Sequence, residues 1–294
     1  MKFLLPRLFA LAATTLTFAG CTTATHSVGT GPSFKGPTGL QLYSLRGNFT
    51  RNVPSTLDIV KGYGIHEVEL AGTYGQTPVQ FRQELISRGL TPIAAHFPFD
   101  KFRDDPESIA REAQALGLKY AGCAWIPHQG SFDAPQARTA VGVFNHAGEV
   151  LAKYGIKCFY HCHGYEFEPG AAGPNTTAMD ILIRETNARN VVFEMDVFWV
   201  AYPGEAPEKW LAKYPGRWEL VHLKDYRRGQ PTGIHTGKGD PNNDVVLGTG
   251  QMNWPVILAA ARRTGVKHYF IEDESADAVK QVPQSLRYLE QVRW

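Results

Sequence analysis

The sequence has little cysteine, no excess of charge of either sign and a single long apolar run. Four cysteines occur among 294 residues. With Cys21 set aside, the odd number that remains in a chain we expect to be exported does not indicate a disulfide framework. Cys158 and Cys162 share one face of the predicted strand 157–164. We therefore expect buried thiols packed behind that strand rather than metal ligands.

The near-neutral charge excludes one large class of partner. The chain has 30 Lys and Arg against 28 Asp and Glu, and two of the basic residues, Lys2 and Arg7, precede Cys21. From Cys21 onward the formal balance is therefore 28 minus 28, or zero. A protein that binds nucleic acid by neutralising phosphates needs a basic surplus, so the sequence argues against a nucleic-acid partner.

The apolar run predicts export. Lys2 and Arg7 precede an apolar stretch at 8–19 that reaches Gly20 and Cys21, a pattern typical of a secretory signal and too short for a comfortable membrane span. Because residues 18–21 resemble a bacterial lipobox, we expect residues 1–20 to be removed and a lipid on Cys21 to anchor the protein to a membrane, facing the periplasm. A plain signal peptide cleaved nearby is the alternative. The small polar residues up to 36 predict a flexible tether.

Residues 37–294 read as strand-like runs that alternate with amphipathic helical stretches. Several of the helical stretches end in glycine just before the next strand, as expected of a helix C-cap. Such alternation indicates parallel strands with right-handed crossovers, and eight repeats predict an α/β fold, a single-domain (β/α)8 TIM barrel. An open doubly wound sheet is the alternative, but no GxGxxG motif follows the first strand. The predicted strands are 39–46, 66–72, 91–98, 120–127, 157–164, 190–200, 218–226 and 268–274.

A long connection after the seventh predicted strand breaks this rhythm. Residues 227–253 are rich in Gly, Pro, Asn and Asp. In a barrel this connection lies over the carboxyl-terminal mouth, where active sites are built. It is either a lid or a plain excursion of the chain.

Charged and imidazole side chains fall late in the predicted strands, where they would surround that mouth. Four of them follow consecutive strand-like runs: Glu166, Asp196, His222 and Glu272. Three carboxylates and one imidazole form an oxygen-rich set that suits a divalent metal. Other polar residues near strand ends are further candidates for the site, namely Glu69, His96, His161, His163 and Lys224. Each has a plainer alternative as a loop carboxylate, a core imidazole or a helix cap.

The order of these motifs resembles the sugar isomerase/epimerase superfamily with a xylose isomerase-like barrel, which includes inosose dehydratases and type IV endonucleases. The resemblance covers about residues 37–290. It rests on GLQLYSLR (39–46), VELAG (68–72), YHCHGYEF (160–167), FEMDVFW (193–199), VHLKD (221–225) and the segment 247–274.

The resemblance implies one divalent metal (Mn, Mg, Zn or Co) bound by residues on the fifth to eighth strands. In this sequence those residues are Glu166, Asp196, His222 and Glu272, with His163 as a residue that replaces Glu166 or adds to it. Lys224 resembles the family lysine that faces substrate oxygens. Lys224, His163, His96, Glu69 and His161 are the candidate catalytic residues.

The chemistry implied by the resemblance is proton abstraction next to a carbonyl, with the metal polarising substrate oxygens. We expect an isomerase or epimerase that acts on a free or oxidised sugar. A dehydratase or lyase of the 3-keto-glycoside or inosose type would use the same residues. A sugar-binding lipoprotein without turnover is the alternative of another class, and an endonuclease role fits neither export nor the neutral charge.

Overall fold

Eight parallel strands close into a barrel in the computed structural model, which describes Met1 and residues 28–294. The strand order around the barrel confirms the predicted (β/α)8 fold. Two further short strands pair as an antiparallel hairpin after the seventh barrel strand. The barrel strands are β1 (Thr38–Gln41), β2 (Glu67–Leu70), β3 (Thr91–His96), β4 (Tyr120–Cys123), β5 (Lys157–His161), β6 (Val191–Asp196), β7 (Trp218–Leu223) and β10 (His268–Ile271), and the hairpin strands are β8 (Asp225–Tyr226) and β9 (Asp244–Val245).

Helices follow the barrel strands and pack around them. Asn52, Thr77, Asp105, Asp133 and Thr177 each accept a backbone N–H at the start of a helix, as N-cap side chains do. The helices are α1 (Arg46–Phe49), α2 (Val53–Gly62), α3 (Pro78–Ile86), α4 (Phe99–Asp104), α5 (Pro106–Leu116), α6 (Ala134–Ala152), α7 (Ala178–Glu185), α8 (Val197–Ala201), α9 (Pro207–Lys213), α10 (Trp254–Thr264) and α11 (Ala278–Gln291).

All eight predicted strands extend too far at the carboxyl end. The first predicted strand, 39–46, ends at Gln41 and continues as a 3-10 helix (Leu42–Leu45). The sixth, 190–200, ends at Asp196, whose side chain caps α8. The apolar residues after these two strands, Leu42, Leu45, Val197 and Val200, are therefore buried in short helices instead of prolonging the strands.

The barrel interior is layered. Its lower layer is an apolar cluster of Ile93, Ala94, Tyr120, Phe159, Val192, Leu220 and Phe270. Side chains two positions further along a strand point to the same face, so the next layer toward the mouth follows from the sequence. That layer is polar, because two positions after Phe159, Val192 and Leu220 the strands carry His161, Glu194 and His222. The core between strands and helices includes the free thiols of Cys158 and Cys162, buried as predicted, and that of Cys123.

The structure differs from the predicted tether over residues 28–36, which pack against the barrel. Phe34 is buried, and its ring lies 5.0 Å from that of Tyr269, edge to face. The backbone N–H of Gly29 donates to Glu290 Oε1 at 3.0 Å. This aromatic side chain, in an otherwise small and polar stretch, holds the segment to the barrel.

The predicted signal segment and Cys21 lie outside the described residues, so the signal and lipid anchor stay predictions. Within residues 28–294, no helix has both the length and the apolar character needed to cross a membrane.

Candidate metal centre

Three of the predicted metal ligands meet at the carboxyl ends of β6, β7 and β10. The β6–β7 register pairs Asp196 with His222, and Glu272 follows the neighbouring strand β10. His222 Nδ1 lies 3.4 Å from Glu272 Oε2 and 3.9 Å from Asp196 Oδ2. All three side chains are buried. The structure thus brings Asp196, His222 and Glu272 within the range that one ion would span.

Two atoms of this group carry no hydrogen bond although both are buried. They are Asp196 Oδ2 and His222 Nδ1. The other oxygen of Asp196, Oδ1, accepts the backbone N–H groups of Phe198 at 2.8 Å and Trp199 at 3.2 Å. A buried polar atom without a partner costs about 1–3 kcal/mol, and a divalent cation among the three residues would satisfy both atoms. The residues therefore fit a metal ion, and three protein ligands leave positions for a substrate.

Lys224 lies beside this group at the mouth. Its ammonium Nζ is 3.3 Å from Glu272 Oε2 and also contacts Glu274. Burial alone would lower the pKa of Lys224, but Glu272 and other neighbouring carboxylates hold it well above its ordinary value. Burial raises the pKa of Asp196 to about 8, against the opposing effect of Lys224. The mouth therefore presents a fixed cation next to the candidate ligands.

A second cluster lies beneath the mouth, in the polar layer of the barrel. Glu194 Oε2 is 3.1 Å from His161 Nδ1, 3.2 Å from His96 Nε2 and 3.2 Å from His222 Nε2. Glu69 approaches two of the same rings, with Oε1 2.9 Å from His96 Nε2 and Oε2 2.5 Å from His222 Nε2. Both carboxylates are fully buried.

The two carboxylates give the three imidazoles different properties. Burial by itself would lower the pKa of His96, but Glu69 and Glu194 raise it to about 9. Burial would also lower the pKa of His222, but the charges of Glu194, Glu69 and Glu272 hold it well above its ordinary value. Burial lowers the pKa of His161 despite its hydrogen bond to Glu194. His161 is therefore the neutral ring of the three, and it lines the cavity above.

The structure does not bring Glu166 into either cluster. After β5 the chain turns at Gly164, whose φ of 97° favours glycine, and forms a 3-10 helix (Tyr165–Phe167). This turn points the Glu166 carboxylate back toward the Tyr160 hydroxyl and the backbone N–H of His163, which donates to Oε1 at 2.9 Å. Burial raises the pKa of Glu166 to about 7. The fifth strand instead contributes His161, to the lower cluster.

His163 stands in the wall of the cavity. Its ring stacks on Trp199, with ring centroids 4.5 Å apart and planes inclined by 25°. Its Nδ1 is buried without a hydrogen bond, and burial holds its pKa well below the ordinary value. Phe198 lines the same cavity, whereas Trp125 lines an adjoining one. These aromatic faces suit the apolar face of a sugar ring.

The cavity over the mouth has a volume of about 640 Å³ and is closed on one side by the long connection 227–253. Residues 237–241 of that connection line it. Gly237 comes so close to Trp125 that an added Cβ would lie 2.8 Å from the indole, and at Gly239 a Cβ would lie 3.2 Å from the Phe198 ring. The glycines let the connection cross the mouth in contact with its aromatic rim. The connection therefore forms part of the site.

Glu194 and Glu274 are site residues that the sequence analysis did not select. Their strand parity places Glu194 on the face of Asp196 and Glu274 on that of Glu272. A carboxylate in the middle of the apolar strand VVFEMD is itself a signal, because an ionised group in a core requires partners.

A profile of the xylose isomerase-like TIM barrel family matches residues 57–292, and the chain belongs to this family. No match was found among curated proteins.

Solved structures share the fold at low sequence identity. A sugar phosphate isomerase/epimerase from Parabacteroides distasonis superposes with a TM-score of 0.75 at 22% identity, over 92% of this chain and 96% of that one. The IolI protein with a bound zinc atom gives 0.67 at 14%, over 86% and 95%. The probable 3-DHS dehydratase AsbF from Bacillus anthracis gives 0.65 at 15%, over 87% and 99%. At these identities the likeness shows the fold alone.

Proposed function

We propose that the protein is a metal-dependent isomerase or epimerase of the cell envelope, which removes a proton next to a carbonyl of a free or oxidised sugar. One observation carries the proposal: Asp196 Oδ2 and His222 Nδ1, both buried and without hydrogen bonds, face Glu272 beside the buried cation of Lys224. Membership of the xylose isomerase-like TIM barrel family supports an enzymatic role. The structural neighbours of this chain include a sugar phosphate isomerase/epimerase and a probable dehydratase.

The metal would be held by Asp196, His222 and Glu272. When bound, it supplies a Lewis acid that polarises substrate oxygens. Lys224 adds a hydrogen-bond donor directed at the same oxygens, and its contacts with Glu272 and Glu274 fix its position. Negative charge that develops on a substrate oxygen would therefore meet a prearranged cation.

Proton transfer is assigned to the imidazoles. His161 Nδ1 is hydrogen-bonded to Glu194 Oε2 at 3.1 Å, which leaves Nε2 as the nitrogen available to a substrate. Because burial keeps the pKa of His161 low, this ring acts as the base. The Lys224 ammonium is the acid, and the aromatic wall of Phe198 and Trp199 orients the sugar ring.

The same residues would also serve elimination. Proton return to carbon gives epimerisation or isomerisation, whereas Lys224 protonating a departing hydroxyl gives a dehydratase or lyase. The position of Lys224 in the cavity wall, beside Glu272, favours this second reaction for substrates with a leaving group next to the acidic carbon.

Metal analysis and substrate profiling test the proposal. Purified wild type should contain one divalent ion per chain, whereas Asp196→Ala and His222→Ala should lose it and the exposed control Asp58→Ala should retain it. Unchanged metal content in Asp196→Ala and His222→Ala would contradict the proposed metal site. Incubation with sugars and 3-keto glycosides in deuterated water should place deuterium on a substrate carbon or release a product. Lys224→Met should abolish this and Lys267→Met, at the other end of the barrel, should not.

Two outcomes would redirect the assignment. Saturable sugar binding without deuterium incorporation or product, across a broad panel, would favour a binding protein. Loss of a hydroxyl or glycosyl group would favour the dehydratase or lyase.

The envelope location rests on the residues up to Cys21. Wild type should fractionate with membranes, and Cys21→Ser should release it. A wild-type protein recovered free of membranes would contradict the lipid anchor.

A further inference from the structure

The two buried clusters share one ring, that of His222. Its Nδ1 faces Glu272 and Asp196 at the mouth, and its Nε2 faces Glu69 and Glu194 below. The ring is rigid, so the atoms that hold one edge also place the other. The two edges differ in one respect: Nδ1 is buried without a hydrogen bond, whereas Nε2 is bracketed by two carboxylates.

Hydrogen bonding distinguishes the roles of the clusters. In the lower cluster, Glu194 Oε2 lies within 3.2 Å of a nitrogen on each of His96, His161 and His222. Each of these ring nitrogens therefore has a carboxylate oxygen within hydrogen-bonding distance, whereas Oε1 of Glu194 and Oε1 of Glu69 carry no hydrogen bond. In the upper cluster, buried atoms of Asp196 and His222 are left without partners. The shared ring of His222 therefore has its unbonded nitrogen, Nδ1, at the mouth, where a cation would satisfy it.

We propose that Glu69 and Glu194 are positioning residues that keep the N–H of His222 on Nε2, with Glu69 Oε2 at 2.5 Å and Glu194 Oε2 at 3.2 Å, and so leave Nδ1 as the nitrogen that binds the metal. This inference rests on the proposed metal site. A metal-ligating imidazole that donates its other N–H to a carboxylate has a fixed orientation and greater basicity, and loss of the carboxylate costs about 10- to 100-fold in metal affinity. Through His161 Nδ1, Glu194 also sets which nitrogen of the base faces the cavity.

The barrel offers a matched control at its opposite end. Glu219, also on β7, is buried and receives Tyr120 Oη at 2.8 Å and Lys157 Nζ at 2.6 Å. Replacing Glu219 with Gln removes a buried carboxylate from a hydrogen-bond network that is similar in size to the one around Glu194 and lies far from the mouth. Glu219→Gln thus reports what loss of a buried carboxylate does to the barrel in general.

Competition titration of the metal-free protein with Zn²⁺ and a chelator is the first measurement. Glu69→Gln and Glu194→Gln should bind one ion per chain more weakly than wild type, by about 10- to 100-fold where the hydrogen-bonded Glu69 is changed, and Glu219→Gln should bind as wild type. Wild-type affinity in both Glu69→Gln and Glu194→Gln, while Asp196→Ala loses the ion, would overturn the proposal. Two ions per wild-type chain would also overturn it, because the lower imidazoles and Glu194 would then be ligands themselves.

Proton NMR of the histidine rings gives a readout that does not depend on metal. The His222 Nε2–H should appear as a low-field, slowly exchanging resonance in metal-free and Zn²⁺-loaded protein, and should move in Glu194→Gln but not in Glu219→Gln. Its absence in both states of wild type would overturn the inference even if the metal site stands. If the metal site fails and the resonance is present and responds, the positioning role stands on its own. Glu194→Asp, which keeps the charge, replaces Glu194→Gln should the latter not fold.

Discussion

Lys224 Nζ lies 3.7 Å from Asp244 Oδ2, although Lys224 directly follows the seventh barrel strand and Asp244 belongs to the connection that crosses the mouth. The same oxygen of Asp244 accepts the backbone N–H of Glu274 at 2.8 Å. A single carboxylate therefore ties the connection to the site lysine and to the end of β10.

Removal of that carboxylate should loosen the connection. We expect Asp244→Ala to lower the free energy of unfolding by about 1–3 kcal/mol, because the Glu274 N–H loses its acceptor. Limited proteolysis should then cut within residues 227–243 sooner than in wild type. Asp240→Ala, which loses only contacts to Asn242 in the same connection, should digest as wild type, and equal rates for all three proteins would contradict the tie.

Metal binding should stabilise the fold measurably. A ligand that binds only the folded state adds about 2.7 kcal/mol at 100 times its dissociation constant. Added Mn²⁺, Zn²⁺ or Co²⁺ should therefore raise the melting temperature of metal-free wild type and leave Asp196→Ala unchanged. The same scan on Glu166→Gln decides whether Glu166 acts as the fifth-strand ligand. A full metal response in this variant would remove it from the ligand set.

The loop that follows β9 depends on Asp225. Its Oδ2 accepts the Trp254 indole N–H at 2.8 Å and the backbone N–H of Gly248 at 2.9 Å and Gly250 at 3.2 Å. Its Oδ1 accepts from Met252. Each donor left buried without a partner costs about 1–3 kcal/mol, so Asp225→Ala should destabilise far more than Trp254→Phe, which removes one of these bonds. Chemical denaturation compares them, and equal losses would show that the indole alone matters.

The ionised carboxylate of Asp180 should make the free energy of unfolding depend on pH. Its carboxylate lies 2.6 Å from Lys213 Nζ and contacts the Tyr214 hydroxyl. Burial raises the pKa of Asp180, but the contacts to Lys213 and Tyr214 outweigh it and lower the pKa below its ordinary value. Because the pKa is lower in the folded state, ionised Asp180 stabilises the fold at pH values above the unfolded pKa. This contribution is lost as the pH falls through the folded pKa. Asp180→Asn should therefore be less stable than wild type at pH 7 by about 1.5–3 kcal/mol.

The pH profile provides the check. Urea denaturation of both proteins should give curves that converge as the pH falls below about 4, the ordinary pKa of an aspartate. A constant difference between wild type and Asp180→Asn down to the acid limit would show that the ionised state of Asp180 contributes nothing.

The barrel and most of the mouth follow from sequence because strand parity and strand ends are local properties. Asp196, His222 and Glu272 lie at or just beyond the ends of three strands that the order of elements makes neighbours, and closure of the barrel brings them together. Parity also predicts that Glu194 shares the face of Asp196. It does not predict the depth at which Glu194 meets side chains from strands far along the chain, because that depends on the tilt and stagger of the closed barrel.

Glu166 shows a second limit of sequence reasoning. The strand-like run 157–164 contains no residue that marks its end at His161. The end comes from Gly164, which takes a positive φ and starts a 3-10 turn that buries the Glu166 side chain beneath Tyr160. Whether a carboxylate just beyond a strand points to the mouth or behind it depends on such a turn, and residue type alone does not reveal it.

The shared ring of His222 has a consequence for how this site can be altered. A substitution in the closed interior that shifts the ring by a few tenths of an ångström also shifts the nitrogen at the mouth by the same amount. Variation at the deep positions 69 and 194 therefore offers a route to a different metal preference without any change to the surface that the substrate meets. Directed-evolution libraries restricted to the visible pocket would miss that route.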